Sequence, residues 1–282
     1  MLKPSDFIKE YRFNPAEFEQ FVAQIEVKKT AKRANKLLSL VDLTSLSSTD
    51  NKKTVLKLLQ KAKELSQSGN GVAAACFFSN YLTPVKEKLP NNKLPLAVVA
   101  GAFPLGQADK KLKLDEVEYA VSAGANEVDF VINRGDFLRG NLDAVFLEIR
   151  TARQLCEGKA ELKVIIENCD LETPENIYIA SQLALEAGAH FIKTSTGKGK
   201  YGARPEDFWV MCEAVKDFQK NKNQTRGIKV AGGIRTLEEA TVYYEIGKHF
   251  FGKSFVKPDT FRIGASSLVT NLETYLVEDL KN

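Results

Sequence analysis

The chain has 282 residues, with 40 lysines and arginines against 36 aspartates and glutamates, 44% hydrophobic residues and 27% charged residues. This composition is typical of a folded globular protein and excludes a disordered chain and a fibrous repeat. The formal charge of +4 is spread along the sequence, so charge gives no support for nucleic-acid binding.

The four cysteines lie far apart and form no CxxC pair, which predicts free thiols in a reducing compartment. The first ten residues carry several charges and no long apolar run, so they fit neither a secretory signal nor a membrane span. We therefore expect a cytoplasmic protein without membrane contact. Two histidines, His190 and His249, are too few for a multi-imidazole metal site, and we expect neither a metal nor a cofactor.

The N-terminal segment is predicted to be helical. Asn14 is a good N-cap, Pro15 suits the first helical position, and Glu17 is an acid in the first turn. Apolar residues follow at helical spacing. We interpret residues 1–36 as a helical extension packed on the rest of the protein.

From Leu37 onward, short apolar runs alternate with longer amphipathic stretches, which is typical of repeated βα units. The predicted strands are residues 37–43, 72–78, 94–100, 127–132, 162–167, 190–194, 227–231 and 260–264. The predicted helices are residues 50–67, 81–88, 111–123, 142–156, 174–187, 205–220, 236–246 and 266–278. Eight such units predict an α/β fold, a (β/α)8 TIM barrel that spans residues 37–282 as one domain. Phe250 and Phe251 are an alternative last strand.

A doubly wound sheet uses the same alternation and is the alternative fold. Residues 197–202 even match the GxGxxG pattern of dinucleotide-binding loops. That loop belongs after the first strand, however, with an acid at the end of the second. Here it follows the sixth strand, and the next strand ends in Ala231 and Gly232, so we interpret the match as coincidental.

Ionisable residues interrupt several predicted strands, near the carboxyl ends where barrels carry their chemistry. These residues are Asp42, Asp129, Lys163, Glu167, Lys193 and Lys229. Burying an unpaired charge costs several kcal/mol or more, so each residue needs a partner or a function. A structural ion pair explains one lysine. Two lysines on the neighbouring sixth and seventh strands are harder to explain in that way.

The crowding of Lys193 and Lys229 suits amine chemistry. A lysine attacks a carbonyl only as the neutral amine, and at an ordinary pKa of about 10.4 the neutral form is scarce at pH 7. A second ammonium ~5 Å away opposes the charge by on the order of 3 kcal/mol at an effective dielectric of ~20, and burial supplies the remainder. Asp129 would then transfer protons, directly or through water.

Glycine-rich loops follow the last three predicted strands and suggest a phosphate site. Backbone N–H groups and a helix N-terminus favour an anion at this end of a barrel. Each cluster alone could be an ordinary turn, but together they favour a phosphorylated substrate. The candidate phosphate-binding residues are Thr196, Gly197, Lys198, Gly232, Gly233, Gly264, Ser266 and Ser267.

The sequence also resembles the deoxyribose-phosphate aldolase family of class I aldolases from about Leu37 to Leu268. The most specific motifs are residues 191–197 (FIKTSTG), 229–235 (KVAGGIR) and 262–267 (RIGASS), supported by residues 41–44, 126–129 and 162–167. The resemblance implies a (β/α)8 barrel that cleaves 2-deoxy-D-ribose 5-phosphate reversibly to D-glyceraldehyde 3-phosphate and acetaldehyde, without a metal.

The resemblance also implies roles for single residues. Lys193 would form the Schiff base, Lys229 would lower the pKa of Lys193, and Asp129 would take part in proton transfer. Asp42, Thr44 and Lys163 match positions that line the substrate pocket in the family.

Departures from the family concern both termini and one loop. Some members end in a mobile tail with a terminal tyrosine, whereas this chain ends at residues 279–282 (DLKN) and its last tyrosine is Tyr275. Arg204 replaces a usual threonine in the sixth loop, and residues before Leu37 form a longer N-terminus than in compact members. Another Schiff-base aldolase and a non-catalytic phosphosugar-binding barrel stay open as functions, and a homodimer stays open as an assembly.

Overall fold

The computed structural model describes residues 3–69 and 71–278, and a closed barrel of eight parallel strands lies at its centre. The strands are β1 Val41–Thr44, β2 Ala74–Phe78, β3 Leu96–Ala100, β4 Glu127–Val131, β5 Glu161–Ile165, β6 Phe191–Lys193, β7 Gly227–Ala231 and β8 Phe261–Ala265. Each strand pairs with the next along the chain, and β8 pairs with β1. All carboxyl ends therefore share one rim, and the predicted (β/α)8 architecture is confirmed.

Helices alternate with the strands and surround them. They are α1 Pro15–Val22, α2 Ala31–Leu38, α3 Lys52–Gln67, α4 Leu82–Lys88, α5 Lys110–Ser122, α6 Arg134–Leu138, α7 Leu142–Leu155, α8 Pro174–Glu186, α9 Pro205–Lys222, α10 Leu237–Phe251 and α11 Ser267–Glu278. Phe250 and Phe251 end α10, so residues near Phe261 are confirmed as the last strand. None of the described helices combines the length and hydropathy that crossing a bilayer requires.

The first predicted strand is wrong at its start. Residues 37–43 were expected to be extended, but α2 continues to Leu38 and β1 begins only at Val41. The apolar residues Ala34, Leu37 and Leu38 have the i, i+3, i+4 spacing of a buried helix face, and they run directly into the apolar strand. The boundary placed after residue 36 therefore falls inside α2.

Strand register brings charged residues together inside the barrel. Lys193 pairs with Lys229 across β6 and β7, and Lys229 pairs with Arg262 across β7 and β8. Asp129 pairs with Lys163 across β4 and β5. Because side chains alternate between the two faces of a strand, the neighbouring apolar residues face the helices. The apolar core therefore lies between strands and helices, and an ionic layer fills the interior.

Residues before β1 form an arm on the outside of the barrel. The Asn14 side chain accepts the Glu17 N–H at 3.4 Å, which confirms the predicted start of α1. Phe18 meets the Trp209 ring edge-on at a centroid distance of 5.7 Å, and Phe21 lies 5.4 Å from the same ring. Trp209 belongs to α9 and is only 1% exposed, so it is the anchor on which α1 docks.

Trp209→Ala is expected to cost about 3–5 kcal/mol of the free energy of unfolding, because it leaves a cavity between α9 and α1. The arm should also become more accessible to protease. Urea denaturation and limited proteolysis measure the two effects. Tyr119→Ala is the control, since Tyr119 is 46% exposed and its replacement should change stability by no more than about 0.5 kcal/mol. A Trp209→Ala protein as stable as the control would contradict this account of the arm.

Candidate active site

A buried ionic cluster fills the barrel interior. Its members are Asp42 of β1, Glu127 and Asp129 of β4, Lys163 of β5, Lys193 of β6, Lys229 of β7 and Arg262 of β8. None of them is more than 4% exposed. Buried charges are tolerated only when they are paired, yet these four cations face three carboxylates. The cluster is electrically balanced only when one cation gives up its proton.

Asp129 is the centre of the cluster. Its Oδ2 accepts hydrogen bonds from Lys193 Nζ and Lys229 Nζ, both at 2.7 Å, and its Oδ1 accepts one from Lys163 Nζ at 3.2 Å. The Lys193 and Lys229 nitrogens are therefore at most 5.4 Å apart, twice the shared 2.7 Å distance. The predicted proximity of the two amines is confirmed.

The three lysines differ in how many carboxylates surround them. Lys163 Nζ contacts Glu127, Asp129 at 3.2 Å and Asp42 at 3.7 Å. Lys229 Nζ contacts Asp129 at 2.7 Å and Asp42 at 2.6 Å. Within the described chain, Asp129 is the sole carboxylate within 4 Å of Lys193 Nζ. Lys193 is thus the least compensated of the buried amines.

The pKa directions follow from this difference. Burial lowers the pKa of Lys193, and the Lys229 ammonium lowers it further against the pull of Asp129, so it ends below its ordinary value. Burial also disfavours the Lys229 ammonium, but Asp129 and Asp42 outweigh that cost and raise its pKa. Lys163 likewise has a raised pKa. The amine that surrenders its proton is therefore Lys193.

The cause of the Lys193 shift differs from the sequence-based expectation. We expected repulsion from Lys229 to supply most of the change and burial to supply the remainder. In the structure, burial is the larger cause and repulsion the smaller. Asp129, which both amines contact, raises the pKa of Lys193 more than Lys229 lowers it, so burial decides the direction of the shift.

Asp129 remains ionised despite its burial. Burial alone would raise its pKa, but Lys163, Lys193 and Lys229 outweigh that effect and hold it well below the ordinary value. Such a carboxylate is a strong hydrogen-bond acceptor and a weak base. It can orient a proton in transit between an amine and water without retaining it.

Two members of the cluster, Glu127 and Arg262, were not predicted from the sequence. Arg262 donates to Asp42 Oδ1 at 2.5 Å and to Glu127 Oε1 at 2.8 Å, and Lys163 also contacts Glu127. The signal was present, because Arg262 interrupts the apolar run of β8 just as Lys229 interrupts β7. Burial opposes the ionisation of Asp42, but Lys229, Arg262 and Lys163 outweigh it and hold the pKa of Asp42 below its ordinary value.

A cavity of about 410 Å³ opens above the cluster at the carboxyl rim. Lys193, itself 2% exposed, lines it. The structure also brings together there every predicted phosphate-site residue and Thr44: Thr44, Thr196, Gly197, Lys198, Gly232, Gly233, Gly264, Ser266 and Ser267. Asp42 and Lys163 are fully buried in the cluster, where they contact Lys229 and Asp129, and their predicted place in the substrate pocket stays a prediction. The lining also includes Arg235 and Ser47, which sequence reasoning did not select.

The GxGxxG match has a packing explanation. Gly232 has φ of 88° and Gly233 has φ of 83°, which L residues with side chains rarely adopt. A Cβ on Gly202 would overlap the Gly232 carbonyl, and a Cβ on Gly232 would lie 2.8 Å from the Gly202 Cα. Glycines at these positions allow the loops after β6 and β7 to pack in direct contact. Packing therefore explains the GxGxxG match without a bound dinucleotide.

Other singled-out residues lie outside the cluster. His190 Nδ1 accepts the Leu162 N–H at 2.9 Å before β6, and burial lowers its pKa to about 4. His249 stacks on Trp209 beneath the arm. Arg204 supplies no side-chain cap to α9 and instead lies over the Tyr201 ring at 3.4 Å. Tyr275 belongs to α11, and residues 279–282 lie outside the described residues.

Comparisons with known proteins agree with this arrangement. Residues 36–269 match the sequence profile of the DeoC/LacD family aldolases. The chain is 37% identical over 270 residues to a human protein named deoxyribose-phosphate aldolase, covering 90% of this chain and 85% of that one. A mouse protein of the same name matches at the same identity and coverage.

Solved structures give the same result. The deoxyribose phosphate aldolase of Aeropyrum pernix, described as a unique tetrameric structure, is 27% identical with a TM-score of 0.69, covering 92% of this chain and 96% of that one. An aldolase called QR15 is 28% identical with a TM-score of 0.72, covering 87% of this chain and 98% of that one. The barrel, its buried amine and these matches lead to one conclusion: the chain belongs to the DeoC/LacD family of aldolases.

Proposed function

We propose that the chain is a deoxyribose-phosphate aldolase, which cleaves 2-deoxy-D-ribose 5-phosphate reversibly to D-glyceraldehyde 3-phosphate and acetaldehyde. The observation that carries the proposal is the position of Lys193. It is a buried amine with a lowered pKa that opens onto a cavity lined by glycine and serine loops. Such an amine is the nucleophile that carbon–carbon cleavage of an aldehyde needs.

In the proposed mechanism, the neutral Lys193 Nζ attacks C1 of the open-chain sugar and forms a carbinolamine. Loss of water gives a protonated Schiff base, which is an electron sink. The C2–C3 bond then breaks as the C3 hydroxyl loses its proton, which releases D-glyceraldehyde 3-phosphate and leaves an enamine. Protonation of the enamine at C2 and hydrolysis return acetaldehyde and the free amine.

Asp129 and Lys229 serve the proton transfers of this scheme. Asp129 contacts both amines and stays ionised, so it can pass protons between the carbinolamine and water. Lys229 stays protonated because Asp129 and Asp42 raise its pKa. Its fixed charge disfavours the protonated form of Lys193, and it stabilises negative charge that develops on substrate oxygens.

The rim of the cavity suits a phosphate at the other end of the sugar. Ser266 and Ser267 lie at the N-terminus of α11, whose partial positive charge favours an anion. Lys198 and Arg235 add full positive charges to the same lining. The lysine and the phosphate loops thus lie in one cavity, as a short phosphorylated aldehyde requires.

The names of the human and mouse relatives support this substrate. We also propose a cytoplasmic location, in keeping with the reduced cysteines expected from the sequence. The tetramer described for the Aeropyrum pernix relative makes self-association worth measuring, with a homodimer as one form of it.

A cleavage assay coupled to acetaldehyde detection tests the reaction. Borohydride reduction in the presence of acetaldehyde tests the mechanism, because it should fix a two-carbon adduct on Lys193 that peptide mass mapping can locate. Pyruvate and dihydroxyacetone as alternative donors should give no adduct. Trapping of either of them instead of acetaldehyde would assign another Schiff-base aldolase activity. A folded protein that cleaves no sugar phosphate and traps no aldehyde would leave only a binding role.

A further inference from the structure

Glu167 is a buried acid that the mechanism above does not use. It follows β5, is 1% exposed, and has φ of 53° in the left-handed region. A residue with a side chain adopts that conformation at a cost, and it persists only where the surroundings determine it strongly. The hydrogen bonds of the Glu167 carboxylate indicate a structural role for this strained conformation.

The carboxylate fixes a turn of the phosphate cavity. Its Oε2 accepts the Thr196 N–H at 3.1 Å and also accepts the Thr196 hydroxyl. The same hydroxyl oxygen accepts the Lys198 N–H at 3.0 Å. One carboxylate oxygen therefore determines the conformation of residues 196–198, all of which line the cavity. Within the described chain, the Lys198 ammonium makes no ion pair of its own, so it remains available to an anion.

Arg134 of α6 holds the Glu167 carboxylate in place. Arg134 Nη1 lies 3.5 Å from Glu167 Oε2 and 3.0 Å from Asp170 Oδ2. Arg134 also donates to the carbonyl of Pro104 at 3.2 Å and to that of Leu105. The carboxylate is thus anchored to α6 and to the loop after β3. This anchoring makes Glu167 a rigid support for the loop after β6.

A carboxylate next to a phosphate site repels the phosphate unless cations or hydrogen-bond donors offset its negative charge. Donors offset the charge of Glu167: Oε2 accepts from Thr196 and lies 3.5 Å from the Arg134 guanidinium, and the Cys169 thiol lies 3.6 Å from Oε1. We propose that Glu167 is a positioning residue that sets the preference for a 5-phosphorylated sugar over the free sugar, by holding residues 196–198 in the phosphate cavity. This inference rests on the proposed function.

The test compares kcat/KM for 2-deoxyribose 5-phosphate and for unphosphorylated 2-deoxyribose. Glu167→Gln keeps the size of the side chain but removes its charge and one acceptor. The ratio of the two kcat/KM values should fall at least tenfold, through a higher KM for the phosphorylated sugar, with cleavage of the free sugar little changed. A fall of less than threefold would overturn the proposal.

Glu148→Gln is the matched control. Glu148 is also a buried glutamate, and it accepts a hydrogen bond from Lys113 Nζ at 2.8 Å between α7 and α5, away from the cavity. Its replacement should lower stability and leave the ratio unchanged. An equal fall of the ratio in both variants would mean that Glu167 acts only through general stability.

If the Glu167→Gln protein does not fold, a second pair of variants, at Thr196, tests the same proposal. Thr196→Ser retains the hydroxyl that Glu167 accepts, and Thr196→Val removes it. Thr196→Val should lower the ratio at least tenfold and Thr196→Ser should lower it less than threefold. Similar ratios in these two variants would also count against the proposal.

Binding of inorganic phosphate, measured by calorimetry, separates this inference from the proposed function. A wild-type protein that cleaves neither sugar would end the proposed function, and the titration would then decide the role of Glu167 alone. We expect phosphate to bind at least fivefold more weakly to Glu167→Gln than to the wild-type protein and to Glu148→Gln. Equal affinity in all three proteins, including no binding in any, would overturn the role of Glu167.

Discussion

Lys193→Met is expected to reduce cleavage of 2-deoxyribose 5-phosphate by at least about 10⁴-fold, because it removes the proposed nucleophile while keeping an unbranched side chain. It should also abolish the adduct formed with acetaldehyde and borohydride. The fold should survive, because Lys193 is the neutral amine of the cluster and the three remaining cations stay paired with the three carboxylates. Steady-state kinetics, trapping with mass mapping, and circular dichroism measure the three effects.

Lys113→Met controls for the loss of a buried lysine. Lys113 is fully buried and pairs with Glu148 at 2.8 Å outside the barrel interior. Its replacement leaves a buried carboxylate unpaired, so it should lower stability by several kcal/mol and leave trapping at Lys193 intact. Residual trapping in Lys193→Met, on another lysine and at the wild-type rate, would show that the nucleophile has been misassigned.

Lys229→Met should reduce activity at pH 7 by about 100-fold and shift the pH–rate profile to higher pH. An ammonium at most 5.4 Å from Lys193 Nζ disfavours the protonated amine, and its removal raises the pKa of Lys193. Less neutral amine is then present at any pH below that pKa. On the order of 3 kcal/mol of repulsion corresponds to roughly a hundredfold change in the neutral fraction. Activity should recover as pH rises, which separates this effect from a structural loss.

Lys229→Arg distinguishes the charge of this residue from its other roles. Arginine keeps the positive charge, so the pKa of Lys193 should stay low and the pH profile should stay close to that of the wild type. Its absolute rate should fall because the bulkier group meets tight packing: a Cβ on Gly264 would lie only 3.2 Å from Lys229 Cε. A Lys229→Met profile with the same shape as the wild-type profile would contradict the electrostatic role.

The sequence predicted the barrel well because its signals are local and repeated. Each βα unit carries its own change of hydrophobic period, so the error at one strand does not spread to the next. Leu37 and Leu38 were misassigned because an apolar helix end runs into an apolar strand without a turn residue between them. Only packing of α2 against α10 and α11 resolves that boundary.

The candidate site could be predicted where charged residues interrupt the apolar pattern of a strand. Lys193, Lys229 and Asp129 stand out because parallel strands seldom carry charges, and register then placed them together. The role of Glu167 was not predictable, because its partners lie in loops whose conformations depend on tertiary contacts. The relative weights of burial and repulsion at Lys193 also required the position of Asp129 between the amines.

The ionic interior of the barrel has a consequence for engineering. Replacing a buried set of ions with well-packed aliphatic side chains is often neutral or stabilising by about 1–4 kcal/mol. Here, exchanging Asp42, Glu127, Lys163 and Arg262 for leucine or methionine would also remove the Asp42 carboxylate that helps to keep Lys229 protonated beside Lys193. Substitutions at the seven positions of the ionic cluster that favour thermal stability would reduce catalytic activity. Stabilising substitutions are therefore better placed in the outer helices.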